Sequence, residues 1–142
     1  MRFLMMIKGD PKPGQLPSEE LLAAMGRYNE ELAKAGVLLD LSGLHPSAEG
    51  AARVQFSGGK RTVIDGPFTE SKELVAGYWI IQAKSLEEAI EWAKRVPFEA
   101  GAEFGQEGEI EVRQVFELEE FGDSPAIERA RELGKELAKN KE

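Results

Sequence analysis

His45 is the only histidine of the chain, and therefore the only side chain whose ordinary pKa lies near neutrality. A neighbouring carboxylate would fix the imidazole tautomer and raise its basicity. Asp65 is the natural partner, because a hairpin between the two positions would bring the ends of two middle strands together. The pattern predicts a catalytic His45–Asp65 pair with His45 as general base. Two plainer interpretations stay open: His45, which precedes Pro46, is an extended loop residue, and Asp65 accepts backbone N–H bonds within its own turn.

Aromatic side chains are candidates for binding a ring-shaped ligand. Phe68, Tyr78 and Trp79 either line a pocket or belong to the core. Because neighbouring side chains of a strand point to opposite faces, only one of Tyr78 and Trp79 can face a cleft. Tyr28 lies on the apolar stripe of a predicted helix, where core packing with a bonded hydroxyl is the expected role. Tyr28, Phe68 and Tyr78 are retained as candidate ligand-binding residues.

Charged residues follow Phe68 closely. Glu70 and Lys72 are candidate ligand-binding residues, with Lys72 directed at an anionic group. The alternative is that Glu70, Lys72 and Glu73 form an exposed cluster worth under about 1 kcal/mol. Residues 58–60, Gly-Gly-Lys, lack the spacing of a phosphate-binding loop. No metal site and no cofactor is predicted.

The composition excludes several classes of site and partner. The 142 residues include 26 acidic and 18 basic side chains, giving a net charge of -8. This acidic balance argues against nucleic acid as a partner, because phosphates require clustered Lys and Arg. The chain has no cysteine, which excludes disulfides, thiolate nucleophiles and cysteine-ligated metals. The single histidine excludes metal sites that need two, and the length fits one domain.

The apolar runs are too short for export or membrane insertion. The first one spans residues 3–7, which is shorter than the apolar core of a signal peptide. No run approaches the roughly 18 apolar residues of a membrane span. Together with the absence of cysteine, this predicts a cytoplasmic protein with no membrane contact.

Periodicity and turn residues predict the elements that must position these side chains. In chain order they are strand 2–8, a helix capped by Ser18 and ended by Gly36, strand 37–42, a hairpin of 53–56 and 61–64, strand 74–83, a helix capped by Ser85, loop 98–109, strand 110–116 and a C-terminal helix after Ser124. Two βαβ-like halves around a middle hairpin are typical of a ferredoxin-like α+β fold. The antiparallel sheet would carry its helices on one face.

Two of the predicted strands are apolar on both sides. Residues 3–7 and 74–81 do not alternate with polar residues, as a half-exposed strand would. Two short helices cover one face, so the other requires a partner, and an identical subunit on a two-fold axis is the simplest one. Burying each such side chain contributes roughly 1.5–3 kcal/mol. The alternative is that the C-terminal helix, with its stripe of Ile127, Ala130, Leu133 and Leu137, covers this face within the monomer.

Residues 65–73, Asp-Gly-Pro-Phe-Thr-Glu-Ser-Lys-Glu, carry a family resemblance. They resemble the signature Asp-Gly-Pro-Phe-Ala-Glu-Thr-Lys-Glu of the DGPF subgroup of the YCII-related family, and differ from it at Thr69 and Ser71. The likeness extends over roughly residues 1–117. Further matching positions are Gly9-Asp10, Ala35-Gly36-Val37, Gly43-Leu44, Gly77-Tyr78 and Glu91-Trp92-Ala93. The resemblance divides the chain into a ferredoxin-like DGPF domain, 1–117, and a C-terminal helical extension, 118–142.

The resemblance implies a dimeric α+β barrel from a family whose members are mostly uncharacterised. A distant relative is a dehydrochlorinase of a chlorinated hydroxyquinol, and better-known members carry a His–Asp pair proposed as catalytic. Genes of DGPF proteins often neighbour those of extracytoplasmic-function sigma factors, which implies a regulatory setting. Three functions follow as expectations. They are a small-molecule lyase or isomerase using the His–Asp pair, a non-catalytic ligand-binding or regulatory module, and a purely structural homodimer.

Overall fold

Six strands and three helices make up the part of the chain that the structure, a computed structural model, describes: residues 1–100 and 108–140. They are β1 (Arg2–Lys8), α1 (Glu19–Lys34), β2 (Leu38–Gly43), β3 (Ala52–Ser57), β4 (Lys60–Asp65), β5 (Val75–Gln82), α2 (Leu86–Ala93), β6 (Ile110–Gln114) and α3 (Pro125–Lys139). Short 3-10 turns span Ser71–Glu73, Phe98–Ala100 and Leu118–Phe121. The predicted loop 98–109 lies largely outside the described residues.

Four antiparallel strands form the main sheet in the order β2-β5-β1-β6, and β3 and β4 form a separate hairpin. Without the hairpin, the chain runs β-α-β-β-α-β, and the first strand lies between the third and the last. This is the ferredoxin-like arrangement. The predicted α+β fold is confirmed.

The helices begin at the predicted serines. The Ser18 hydroxyl accepts the Leu21 N–H at 3.2 Å, and the Ser85 hydroxyl accepts the Glu88 N–H at 3.2 Å. Each bond satisfies a backbone donor that has no partner inside its helix. Gly36 follows α1 with a φ of 75°, a conformation that favours glycine.

The core lies between the two helices and one face of the sheet. Phe3 and Met5 of β1 pair with Ile81 and Trp79 of β5, and these four side chains are 0–4% exposed. The side chains that α1 and α2 contribute to the same cluster are Tyr28, Leu32 and Ala89. Helices therefore cover one face of the sheet, as predicted.

The alternate residues of the same strands form the opposite face, which we call the open face. At its centre Leu4 and Met6 pair with Ile80 and Tyr78. Their neighbours on the outer strands are polar: Glu111 and Arg113 on β6, and Asp40 and Ser42 on β2. Within the described ranges no helix lies on this face.

The C-terminal helix does not cover the open face in the protomer. Its main contacts are with the short turn Leu118–Phe121, and none of its side chains is fully buried. The arrangement weighed as an alternative, with α3 on the sheet, is thus not the one observed. In residues 1–100 and 108–140 no helix has the length and apolar content needed to cross a membrane.

Candidate functional site

The turn after β4 is held against the preceding loop by a close backbone approach. A Cβ atom at Gly66 would lie 1.9 Å from the carbonyl oxygen of Ser47, so no larger residue fits there. The Gly66 N–H donates to the Ala51 carbonyl at 2.9 Å, and the Gly66–Pro67 bond is cis. The Asp-Gly-Pro-Phe segment therefore packs closely against the β2–β3 loop.

Ser47 is the polar centre of this region and is 7% exposed. Its N–H donates to Asp10 Oδ1 at 2.7 Å, and its hydroxyl donates to Asp10 Oδ2. The Phe68 N–H in turn donates to Ser47 Oγ at 3.0 Å. One serine thus joins the end of β1, the β2–β3 loop and the turn after β4. A buried hydroxyl with both kinds of partner satisfied has a structural role.

Arg53 joins the same turn to the base of the hairpin. Its guanidinium carbon lies 3.8 Å from the centroid of the Phe68 ring, a cation–π distance. Its Nη1 lies 3.8 Å from Glu70 Oε2, and the Thr69 hydroxyl donates to Glu70 Oε1 at 3.1 Å. Phe68 is half-buried, whereas Glu70 and Lys72 are exposed. Of the predicted site residues, the structure brings Phe68 and Glu70 together.

His45 is paired with a carboxylate that the sequence analysis did not select. Its side chain is 85% exposed, and its Nδ1 lies 3.2 Å from Glu49 Oε2. The other oxygen, Glu49 Oε1, accepts the Gly14 N–H at 2.8 Å. This backbone bond, followed by the contact with His45, lowers the pKa of Glu49. A carboxylate at Nδ1 orients the ring and leaves Nε2 facing away.

Asp65 does not form the predicted pair with His45 in the protomer. It ends β4 opposite Ala52 and is exposed, and His45 makes its contact with Glu49 instead. The physical reason is spacing, since residues 45 and 49 lie on one tight turn and no chain reversal is needed to join them. The catalytic roles assigned to His45 and Asp65 stay predictions.

Tyr28 lies in the core on the helix-covered face. It is 3% exposed, its hydroxyl donates to the Trp92 carbonyl at 2.7 Å, and burial raises its pKa. Its ring meets Trp79 edge-on at 5.4 Å between centroids, and Trp79 Nε1 donates to Asn29 Oδ1 at 2.7 Å. Core packing, the expected role of Tyr28, accounts for all of these contacts, so the structure does not place it at the candidate site.

Tyr78 is the one of the two neighbouring aromatic residues that faces the open side. It pairs with Met6 at the centre of the open face and is half-buried. Its hydroxyl lies 3.5 Å from Asp40 Oδ2 on the neighbouring strand. Tyr78 therefore belongs to a different surface from Phe68 and Glu70.

Lys8 is a candidate binding residue that the sequence analysis missed. Its side chain is only 12% exposed, and its Nζ lies 3.7 Å from Glu111 Oε1. The same Nζ donates to the Glu73 carbonyl at 3.3 Å. Lys8 follows Met6 on the open-face side of β1, so it places a largely buried positive charge at the end of the apolar patch. The available signal was its position two residues after Met6.

The sequence analysis names Asp10 only as a position of the family resemblance and does not select Ser47. Their roles depend on contacts between segments 37 residues apart, which local patterns do not reveal. Among the described residues, no three His, Asp or Glu side chains converge as metal ligands would.

Comparison with known proteins places the chain in a family. A family model described as the YCII-related domain matches residues 1–119. An uncharacterized protein of Rhizobium meliloti (strain 1021) is 33% identical over 76 residues, which are 54% of this chain and 60% of that protein. The chain thus spans about three fifths of the relative's length. Membership of the DGPF subgroup and the division at residue 117 stay predictions. The chain belongs to the YCII-related family.

Proposed function

We propose that the protein is a cytoplasmic homodimer that binds a small anionic molecule between the open faces of its two sheets, without catalysing a reaction. The observation that carries this proposal is the composition of the open face. Four side chains at its centre are apolar or aromatic, and charged side chains of both signs surround them.

The composition of the open face is typical of a protein–protein interface. Stable interfaces combine an apolar centre with a polar rim, and Leu4, Met6 and Ile80 provide the centre here. Met6 is only 9% exposed in the protomer, where it lies between Tyr78 of β5 and Glu111 of β6. A second copy on a two-fold axis would bring two equal patches together and double the buried apolar area.

A ligand site follows from the way two sheets meet. Twisted sheets that face each other do not touch everywhere, so a cavity lined by their facing side chains is expected. Lys8 supports an anionic ligand, because its largely buried ammonium has only a 3.7 Å contact with the Glu111 carboxylate and gains from a second negative group near it. Tyr78, which pairs with Met6 two residues before Lys8, adds an aromatic surface and a hydroxyl on the same face. We infer a ligand with an apolar body and one anionic group.

A lyase or isomerase is the second candidate, and the contact between His45 and Glu49 favours it. Glu49 is held from two sides, by Gly14 and by the imidazole. It would orient His45 as a general base in the place assigned to Asp65. His45 is largely exposed, so the partner subunit or the substrate would have to shield the ring before it could act in a dry site.

A regulatory role of the kind that the family resemblance implies would use the open-face site in the same way. Binding of the small molecule would then be the signal, and no base would be needed. The experiments below separate binding from catalysis.

The homodimer is tested by sedimentation velocity over a range of protein concentrations. The native protein should dissociate only on dilution. Leu4→Lys should dissociate at a concentration at least about tenfold higher, because it places two like charges in the apolar centre of the interface. Leu22→Lys is the matched control, since Leu22 is 52% exposed on α1. Circular dichroism verifies that both variants are folded. A native protein that stays monomeric at micromolar concentration would refute the homodimer.

The ligand site is tested with the fluorescent probe 1-anilinonaphthalene-8-sulfonate, which combines an apolar body with one anionic group. The native dimer should bind it, and Lys8→Met should bind it several-fold more weakly. Lys34→Met, an exposed position at the end of α1, is the control. The probe's affinity should be unchanged in His45→Ala if binding occurs at the open face. Equal affinity of the Lys8 variant and the native protein would contradict the site.

A further inference from the structure

The β3–β4 hairpin carries an apolar face that residues 1–100 and 108–140 leave exposed. We call it the hairpin face, and its members are Val54, Phe56 and Val63. They are 53%, 69% and 63% exposed. Val54 and Val63 are directly paired, and Arg61 lies over the Phe56 ring at 5.0 Å. Three large apolar side chains on one side of two strands form a continuous patch.

A two-stranded hairpin is marginally stable in water unless its apolar face packs against another element. The interactions that hold this hairpin to the rest of the described chain lie at its base. Arg53, on the opposite face, contacts Phe68 and Glu70, and Gly66 bonds to Ala51. The hairpin is therefore anchored at one end, and its hairpin face is directed away from the anchor.

The C-terminal part of the chain has a second uncovered apolar surface. We call residues 116–140 the tail segment. Phe116 and Phe121 form a tilted pair at 4.9 Å, and they are 66% and 58% exposed. Along α3, Leu133 and Leu137 are 55% and 54% exposed. The amphipathic helix thus presents its apolar stripe to solvent.

The hairpin and the start of the tail segment carry opposite charges, whereas residues 129–139 of α3 contain four basic and two acidic side chains. The hairpin has three basic residues, Arg53, Lys60 and Arg61, against the single acid Asp65. Residues 117–128 contain no basic residue, and their acids are Glu117, Glu119, Glu120, Asp123 and Glu128. In a chain of net charge -8, the hairpin is a basic feature, and the start of the tail segment is an acidic stretch that complements it.

We propose that the hairpin face of one copy packs on the tail segment of a second copy, and that the two copies exchange this contact across a two-fold axis. Each chain provides one hairpin and one tail segment. A two-fold dimer therefore makes two equivalent contacts, and every hairpin face and tail segment is covered. The tail segment does not meet the hairpin within the described protomer, because the main contacts of α3 are with Leu118–Phe121. This contact goes beyond the open-face interface and does not depend on it.

The proposal connects the partner subunit to the candidate site. Arg53 at the hairpin base holds Phe68 and Glu70, so a hairpin fixed by the partner would also fix the turn that carries them.

Charge reversal tests the contact. The hairpin-reversed variant is Lys60→Glu with Arg61→Glu. The tail-reversed variant is Glu119→Lys with Asp123→Lys, which spares Glu120 because its carboxylate accepts the Glu117 N–H. Each variant alone should dissociate at a protein concentration at least about tenfold higher than the native protein. An equal mixture of the two should regain affinity to within about threefold of the native value, since every contact then joins opposite charges.

Lys34→Glu with Lys84→Glu is the matched control for the hairpin-reversed variant, because it makes the net charge more negative by the same amount at exposed positions away from both surfaces. It should leave the dissociation constant unchanged. A mixture that associates no more tightly than its separate components would overturn the proposal.

Amide hydrogen exchange over residues 52–65 distinguishes this contact from the open-face interface. In the native protein these amides should be protected at high concentration and should lose protection on dilution. The hairpin-reversed variant should exchange there quickly even at concentrations at which the open faces keep it dimeric. Protection that is independent of concentration would mean that the hairpin is covered by its own chain, and would equally overturn the proposal.

Discussion

The two faces of β1 and β5 are built from alternate residues of the same strands, yet they differ in what covers them. On the helix side, Met5 and Ile81 are both 0% exposed under α1 and α2. On the open side, Leu4 and Ile80 are equally apolar but only half-buried. Apolar composition therefore does not by itself reveal which face of the sheet the helices cover. The neighbouring residues Ile80 and Ile81 make the comparison experimentally accessible.

The largest effect is expected from Ile81→Ala. Removing three carbons from a fully buried site should lower the free energy of unfolding by about 2–5 kcal/mol. Urea denaturation measures this loss, which should be the same at low and high protein concentration because the site lies inside one protomer. A loss below about 1 kcal/mol would mean that the helix-covered face is not the main core.

Ile80→Ala should have a smaller effect that depends on protein concentration. In dilute protein the loss should be about 1 kcal/mol or less, because the side chain is only half-buried in the protomer. At concentrations that favour the dimer the loss should increase, since the open face is then buried. Denaturation at two concentrations a hundredfold apart measures the difference. An identical loss at both would argue against an interface on this face.

Tyr28→Phe and Tyr78→Phe extend the comparison to hydroxyl groups. Tyr28→Phe removes a buried bond to the Trp92 carbonyl and should lower the free energy of unfolding by about 1 kcal/mol near neutral pH. Tyr78→Phe should change it less, because its contact with Asp40 is long and exposed.

The pH dependence of Tyr28 has a definite sign. Burial raises the pKa of Tyr28, so the unfolded chain loses this proton first, above about pH 10. The native protein should therefore lose stability as the pH rises through that range, and Tyr28→Phe should lose less. Urea midpoints at pH 9 and pH 11 (both about one unit from the ordinary value) measure this. Parallel declines in the two proteins would contradict the assignment.

The smallest effect is expected at His45, which lies apart from both faces. His45→Ala should raise the pKa of Glu49 toward its usual value, but only in part, because the Gly14 N–H still lowers it. Carboxylate NMR titration measures the change. Glu49 has a lowered pKa, so its stabilising contribution is present above about pH 4.3 and is lost as the pH falls further. A Glu49 pKa that does not respond to the substitution would mean that the contact with His45 does not form in solution.

The sequence predicted the order and type of the described strands and α-helices because the signals for them are local, but it did not predict the three short 3-10 turns. Ser18, Ser85 and Ser124 each accept the N–H bond expected of a cap. Gly36 ends α1 as expected. These features need only a few neighbouring residues, so single-sequence patterns are sufficient to locate them.

Long-range and irregular features were less predictable. Residues 37–42 were predicted as a regular strand. In the structure the pairing of β2 with β5 shifts between Leu38 and Asp40, so that Asp40 rather than Leu39 lies opposite Ile80. The His45–Asp65 pair was inferred from strand ends, whereas the turn that brings Glu49 to His45 has no strong sequence signal. Ser47 was missed because its burial depends on two distant segments meeting around it.

The three hydrogen bonds and one close backbone approach at Ser47 have a practical consequence for engineering. Because the loops around positions 10, 47 and 66–68 interlock through this residue, none of them can be exchanged independently. A grafted sequence between β2 and β3 would have to keep a small hydroxyl residue in register with Gly66. The three loops therefore form one unit that must be transplanted whole.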